Sequence, residues 1–168
     1  MSGIAFILLN LGYKISGSDL KSSEITDKLA SKGVTFYEGH YKKNVKDADL
    51  VVISSAIPKT NPEIQESKKK HIKIIKRAEM LARIMNHKSG IAIAGTHGKT
   101  TTTSMIGFLL EQSGFDPTVI VGGEGNNFKG NAKFGSGEYV VAEADESDGT
   151  FLKLNPKIAV ITNIEDDH

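Results

Sequence analysis

Gly95, Thr96, His97, Gly98, Lys99, Thr100 and Thr101 follow the apolar run Ile91–Ala94, and those residue types in that order suit one task, the holding of phosphate. Glycines at 95 and 98 let backbone N–H groups turn inward and approach an anion closely. The helical pattern that starts near Lys99 aims its positive dipole end at the same place. Lys99 adds a full charge that can bridge the outer phosphates of a nucleotide, and the Thr100 hydroxyl is placed to ligate Mg²⁺. The loop is shorter than the general phosphate-loop pattern, because the position five before Gly98 is Ile93 rather than glycine. The competing reading is a plain glycine turn with a solvated Lys99.

A second constellation lies past the apolar strand Glu138–Glu143. Glu143, Asp145, Glu146 and Asp148 put four carboxylates at a strand end. Parallel pairing would bring that end beside the phosphate loop, where one carboxylate can hold the Mg²⁺ that bridges nucleotide phosphates. The run Glu165-Asp166-Asp167-His168 follows the next strand and adds further oxygen donors and an imidazole. His168 is expected to be a metal ligand there. A solvated acidic turn is the bland alternative.

These groups need a scaffold, and the pattern supplies one. Helices are expected over 1–12, Ser23–Lys32, Pro62–Lys70, Arg77–Met85 and from Lys99 to about Ser113. Strands are expected at Tyr13–Ser16, Val34–Tyr37, Leu50–Ser54, Ile72–Ile75, Ile91–Ala94, Thr118–Val121, Glu138–Glu143 and Ile158–Thr162, and a turn at Val45–Ala48. The continuous apolar run Leu50–Ser54 reads as a strand buried on both faces. Strands alternating with helices imply an α/β fold: a Rossmann-like parallel-sheet unit over 1–86, then the first part of a phosphate-loop α/β unit over 87–168. The polar stretch Asn86–Gly90 is the natural joint. The pattern opens in a helix with no strand before it and stops directly after a strand, so it reads as part of a longer doubly wound protein.

Bulk composition narrows the classes. With 168 residues, 39% hydrophobic and 24% charged, the chain reads as an ordinary globular protein. A net charge of +1 gives no electrostatic reason to expect nucleic acid or a membrane surface as a partner. The absence of cysteine excludes disulfides, thiolate catalysis and thiolate-held zinc within these residues. No apolar run approaches a membrane span, and no basic segment precedes Ile4–Leu11 as in a signal peptide, so a cytoplasmic setting is expected.

Together Gly95–Thr102, Glu143–Asp148 and Thr162–His168 resemble the Mur ligase family. Supporting segments are Met1–Ala5, Gly12–Asp19, Gly39-His40, Ser54–Ile57 with Asn61-Pro62-Glu63, and Arg77–Leu81, so the resemblance covers essentially the whole chain. Within the family it points to the branch that adds L-alanine. The resemblance implies an ATP- and Mg²⁺-dependent ligase. ATP would phosphorylate the lactyl carboxylate of UDP-N-acetylmuramate, and the amine of L-alanine would attack the acyl phosphate. It implies that Lys99 offsets the charge in phosphoryl transfer. Thr100 and Glu143 would hold one metal, and Glu143 with His168 a second. The first unit would then take the UDP moiety, with Asp19, His40, Ser54, Ser55 and Ala56 on its rim. The resemblance also implies further chain on both sides, so ligation by these residues alone is not expected. An open strand edge left in the first unit is expected to favour oligomers. Other readings are a sister ligase such as a murein peptide ligase, a non-catalytic nucleotide-binding module, and a generic phosphate-loop NTPase.

Overall fold

The sheet that carries the Gly95–Thr101 loop is built around the continuous apolar runs of its inner strands. The computed structural model describes residues 1–125, 130–144 and 150–165. Its contacts divide the chain into two compact units, Met1–Arg77 and Ala78–His168, with the division ahead of the polar stretch Asn86–Gly90.

In the first unit α1 (Ser2–Asn10) buries Ile4 and Ile7, and Gly12 past its end takes φ 89°. α2 (Glu24–Ser31) begins at Ser23, whose side chain accepts from the Thr26 N–H while the Thr26 hydroxyl takes the Ser23 N–H. This reciprocal cap satisfies two donors that the first helical turn leaves without partners. α3 (Pro62–Lys69) starts with Pro62 after Asn61, which accepts from the Glu63 N–H at 2.8 Å. The strands form two parallel pairs, β1 (Ser16–Asp19) with β2 (Thr35–Glu38) and β3 (Leu50–Ile53) with β4 (Lys73–Lys76). Among the described residues no ladder joins the pairs.

Two expectations are corrected here. The strand expected at Tyr13–Ser16 lies at Ser16–Asp19, because pairing of Ser16 with Thr35 sets its position, and Tyr13 is exposed. Leu50–Ile53 is only half-buried along its length, since its ladder runs to β4 alone. The turn expected at Val45–Ala48 is present, with the Ala48 N–H bonding Val45 O at 3.4 Å, and a 3-10 segment over Lys42–Val45 leads into it.

The second unit begins within the first turn of α4 (Arg77–Asn86), which buries Met80, Leu81, Ile84 and Met85. Its sheet has the order β7-β6-β8-β5-β9: β5 is Ser89–Ala94, β6 Thr118–Gly125, β7 Gly130–Lys133, β8 Tyr139–Glu143 and β9 Ile158–Ile161. β5 pairs in parallel with β8 and β9, and β6 in parallel with β8. β7 is an antiparallel edge strand that sequence patterning misses. Ile91, Ile93, Val119, Val121 and Val141 form the core, covered by Ile106 and Leu110 of α5 (Lys99–Gln112). Strands so buried carry continuous apolar runs rather than alternation, as parallel strands covered by helices do. No described helix is long and apolar enough to cross a membrane.

Candidate functional site

Residues Gly95–Thr101 sit where β5 ends and α5 begins, at the C-terminal edge of a strand held between β8 and β9. In open parallel sheets this edge is where ligands bind. Gly98 is the residue before α5 and adopts φ 80°, ψ 0°, the left-handed region that favours glycine. The first intrahelical bond is Thr102 N–H to Gly98 O, at 2.9 Å. The N–H groups just ahead of it belong to the first turn, which has no intrahelical acceptors and is a ready anion cradle. Lys99 Nζ donates to Gly95 O at 2.6 Å, so the lysine is folded over its own loop. Thr96 and Thr100 are half-buried, while His97 and Thr101 are exposed.

The loop is braced by the segment after β9. Thr162 N–H bonds Ala94 O at 3.0 Å, and the Thr162 hydroxyl donates to His97 O at 2.5 Å. Asn163 Oδ1 accepts from the His97 N–H at 2.9 Å, and Thr96 Oγ1 accepts from the Glu165 N–H at 3.3 Å. The His97 ring lies 3.5 Å from the Glu165 carboxylate, both well exposed. Gly95, at φ 131°, has no room for a side chain: a Cβ there would collide with Thr162 Oγ1 and sit 3.1 Å from the Asn163 backbone. The glycine at 95 is therefore required by packing against this brace as well as by its backbone angle.

Glu143 ends β8 in register with Ile93, so the parallel ladder carries its carboxylate to the same sheet edge as the loop. Gly122 N–H donates to Glu143 Oε1 at 2.8 Å. A Cβ on Gly122 would lie 2.6 Å from Glu143 Oε2, so the missing side chain leaves space that the carboxylate occupies. Hard oxygen donors of this kind, a held carboxylate and the Thr100 hydroxyl, suit Mg²⁺. Asp145, Glu146, Asp148 and His168 lie outside the described residues. Among the described residues no three His, Cys, Asp or Glu side chains gather in a metal-ready group.

The first unit presents a second rim. Asp19 is exposed at the end of β1, and its Oδ1 accepts from the Leu20 N–H at 2.7 Å. Its carbonyl accepts from the Gly39 N–H at 2.7 Å, which brings Asp19 and His40 to one end of the β1–β2 pair. Ser54, Ser55 and Ala56 form the turn after β3, where Ser54 Oγ accepts from the Ala56 N–H at 3.2 Å. Sequence reasoning missed a polar hub beside His40. Glu63, at the start of α3, accepts from Ser18 Oγ at 2.8 Å and from Asn44 Nδ2 at 2.7 Å. The signal was present in Asn61-Pro62-Glu63, but that triplet reads equally well as an ordinary helix start.

Comparison with known proteins agrees with this geometry. Residues 1–89 match the family model described as "Mur ligase family, catalytic domain", and residues 93–168 match the "Mur ligase middle domain". A UDP-N-acetylmuramate–L-alanine ligase from Geobacter sulfurreducens is 60% identical over all 168 residues, which cover 36% of that relative. One from Pelotomaculum thermopropionicum is 56% identical, again with 36% of its length covered. Among solved structures, a UDP-N-acetylmuramate-alanine ligase from Thermotoga maritima superposes with a TM-score of 0.92 at 33% identity, over the whole chain and 40% of that structure. A UDP-N-acetylmuramate:L-alanyl-gamma-D-glutamyl-meso-diaminopimelate ligase from Neisseria meningitides gives 0.90 at 29% identity, over the whole chain and 58% of that structure. The chain thus spans little more than a third of the curated relatives it matches. The loop at the end of β5, the carboxylate held at the end of β8 and two family models covering nearly every residue agree: the chain belongs to the Mur ligase family.

Proposed function

We propose that these residues form the substrate-binding unit and part of the ATP-binding unit of a ligase that joins L-alanine to UDP-N-acetylmuramate for peptidoglycan synthesis. The observation that carries the reading is the meeting, at one sheet edge, of a left-handed Gly98, the Lys99 ammonium and the Glu143 carboxylate. The 60% identity to an alanine-adding relative supports the choice of substrates. The division of labour runs at about 86/87, with residues 1–86 taking the UDP moiety and 87–168 the nucleotide triphosphate.

In this reading the γ-phosphoryl group passes to the lactyl carboxylate, with ADP leaving. The amine of L-alanine then displaces phosphate and loses a proton, leaving an amide. Transfer between anions crowds negative charge, so the protein's part is positioning and charge compensation. Lys99 would move from Gly95 O to the transferring phosphate, and the Gly95–Thr101 backbone would cradle its neighbours. Thr100 and Glu143, with His168, would hold Mg²⁺, which neutralises phosphate charge when bound. Asp19 would accept from ribose or uracil donors, with His40 and the turn at Ser54, Ser55 and Ala56 on the same rim. No side-chain nucleophile is required, consistent with a chain that has no cysteine. The setting is cytoplasmic, where ATP and the nucleotide sugar are found.

The test uses a chimera in which these 168 residues replace the matching segment of the Geobacter sulfurreducens ligase. Supplied with ATP, Mg²⁺ and UDP-N-acetylmuramate, it should consume L-alanine and release one ADP per amide. Consumption of the tripeptide L-alanyl-γ-D-glutamyl-meso-diaminopimelate instead would replace this reading with that of the Neisseria relative. Thr100→Ala and Glu143→Ala should be partly rescued by raised Mg²⁺. Rescue of Lys99→Ala to the same extent would remove the distinction between metal-holding and charge-bridging groups. The 168-residue chain alone, spanning about a third of its relatives, is proposed not to ligate and to self-associate through open strand edges; product formation or a monodisperse monomer in sedimentation would refute these.

A further inference from the structure

The polar hub of the first unit fixes where protons sit. Glu63 is 14% exposed and His40 16%, so neither relies on bulk water for all its partners. As a carboxylate, Glu63 can only accept. Its Oε1 takes an Asn44 amide hydrogen at 2.7 Å, and the other Asn44 amide hydrogen goes to Gly39 O at 3.1 Å. Both of those acceptors lack protons, so the Asn44 amide has one allowed orientation, which leaves its Oδ1 buried with no partner among the described residues. Glu63 Oε2 takes the Ser18 hydroxyl proton at 2.8 Å. Ser18 has only one proton, so toward His40 Nδ1, 3.0 Å away, it must accept. His40 Nδ1 is also 3.5 Å from Glu63 Oε2, which favours a proton on the same nitrogen. In the neutral ring Nε2 is then a bare acceptor.

We propose that Glu63 is a positioning residue that, through Ser18, locks His40 with its proton on Nδ1. The lone pair of Nε2 is thereby offered to a donor on the ligand, a ribose hydroxyl or the imide N–H of a pyrimidine, and not to a phosphate oxygen. The ligand half of this inference rests on the nucleotide reading of the first unit; the proton placement does not. Glu63→Gln makes the test sharp. Asn44 still demands an acceptor, so the new amide would turn its oxygen to Asn44 and its NH₂ to Ser18. Ser18 would then donate to Nδ1, and the proton of His40 would move to Nε2.

¹⁵N NMR of imidazole-labelled chain above the histidine titration range separates the two tautomers. The expected result is protonated Nδ1 in the wild type, reversal in Glu63→Gln and a mixture in Glu63→Ala. A proton on Nε2 in the wild type overturns the proposal without recourse to any variant. In the chimera, Glu63→Gln should weaken UDP binding by tenfold or more in calorimetry while kcat at saturating substrate changes less than twofold. Of UDP, its 3-methyluracil analogue and its 2′-deoxy and 3′-deoxy analogues, the one that lacks the contacted donor should bind wild type and Glu63→Gln alike. If every analogue keeps the full difference, the donor assignment is wrong. If the wild-type chimera fails to bind UDP, the nucleotide reading of the first unit falls, while the NMR result still decides the role of Glu63.

Discussion

β3 and β5 look alike as sequence and differ as structure. Leu50–Ile53 and Ile91–Ala94 are both short, unbroken apolar runs ending in a turn. β5 lies inside a five-stranded sheet under α5, and Ile91, Ala92 and Ile93 are all buried. β3 has a ladder to β4 alone and is half-buried throughout. An apolar run states that a strand can be buried; the number of its neighbours decides whether it is. The difference extends to the two rims. The Gly95–Thr101 loop of the second unit is mounted on a packed core and braced by Thr162 and Asn163. In the first unit a hydrogen-bonded hub centred on Glu63 of α3 ties down only the part of the rim at the end of the β1–β2 pair, through Ser18, Asn44 and His40.

Core truncation should expose this contrast most strongly. Ile93 is fully buried, so Ile93→Ala should cost about 2–5 kcal/mol in the second unit. Ile53→Ala, on a half-buried strand, should cost less than half as much. Urea unfolding read by amide exchange within each unit measures both, and equal costs would break the comparison. Next come the glycines. Gly95→Ala meets both a positive φ and the Thr162–Asn163 brace, whereas Gly33, at φ 105°, has open space around it. Gly33→Ala should show only the backbone penalty, roughly 1–2 kcal/mol, and Gly95→Ala should exceed it by thermal melting and weaken ATP binding in the chimera as well. The smallest effect is at the surface of the second unit. Ser136 N–H and hydroxyl, with Lys133, hold the exposed Asp116 carboxyl well below the usual carboxylate range. A depressed folded-state value gives stability that is present above the unfolded value, near 3.8, and fades as pH falls below it toward the folded value. Asp116→Asn should therefore lower the melting temperature slightly at neutral pH, and the gap should narrow in acid.

What could be read from sequence followed from local rules. Ser23, Gly33, Asn61-Pro62 and Gly98 mark helix ends by capping and φ preferences that need no tertiary context, and the helices lie where those residues place them. The loop from Gly95 to Lys99 was equally legible, because strand, glycines, lysine and helix are contiguous. The features that escaped depend on partners far along the chain. β1 is Ser-Gly-Ser-Asp, which has no strand signature and owes its position to β2. β7 is Gly-Asn-Ala-Lys, ordered as an edge against β6. The brace on Gly95 comes from residues 162 and 163, and the hub joins positions 18, 40, 44 and 63. Hydrogen bonds across such separations leave no periodic trace in a sequence.

The central claim is that the edge of β5 and β8 is a phosphoryl-transfer site, and Lys99 tests it most directly. In the chimera, Lys99→Ala should lower kcat/KM for ligation by about 10²-fold or more, the scale of a lost transition-state charge clamp, with UDP-N-acetylmuramate affinity by calorimetry unchanged. Ligation at the wild-type rate with Lys99 removed, or a loss confined to UDP-N-acetylmuramate binding, would contradict the account.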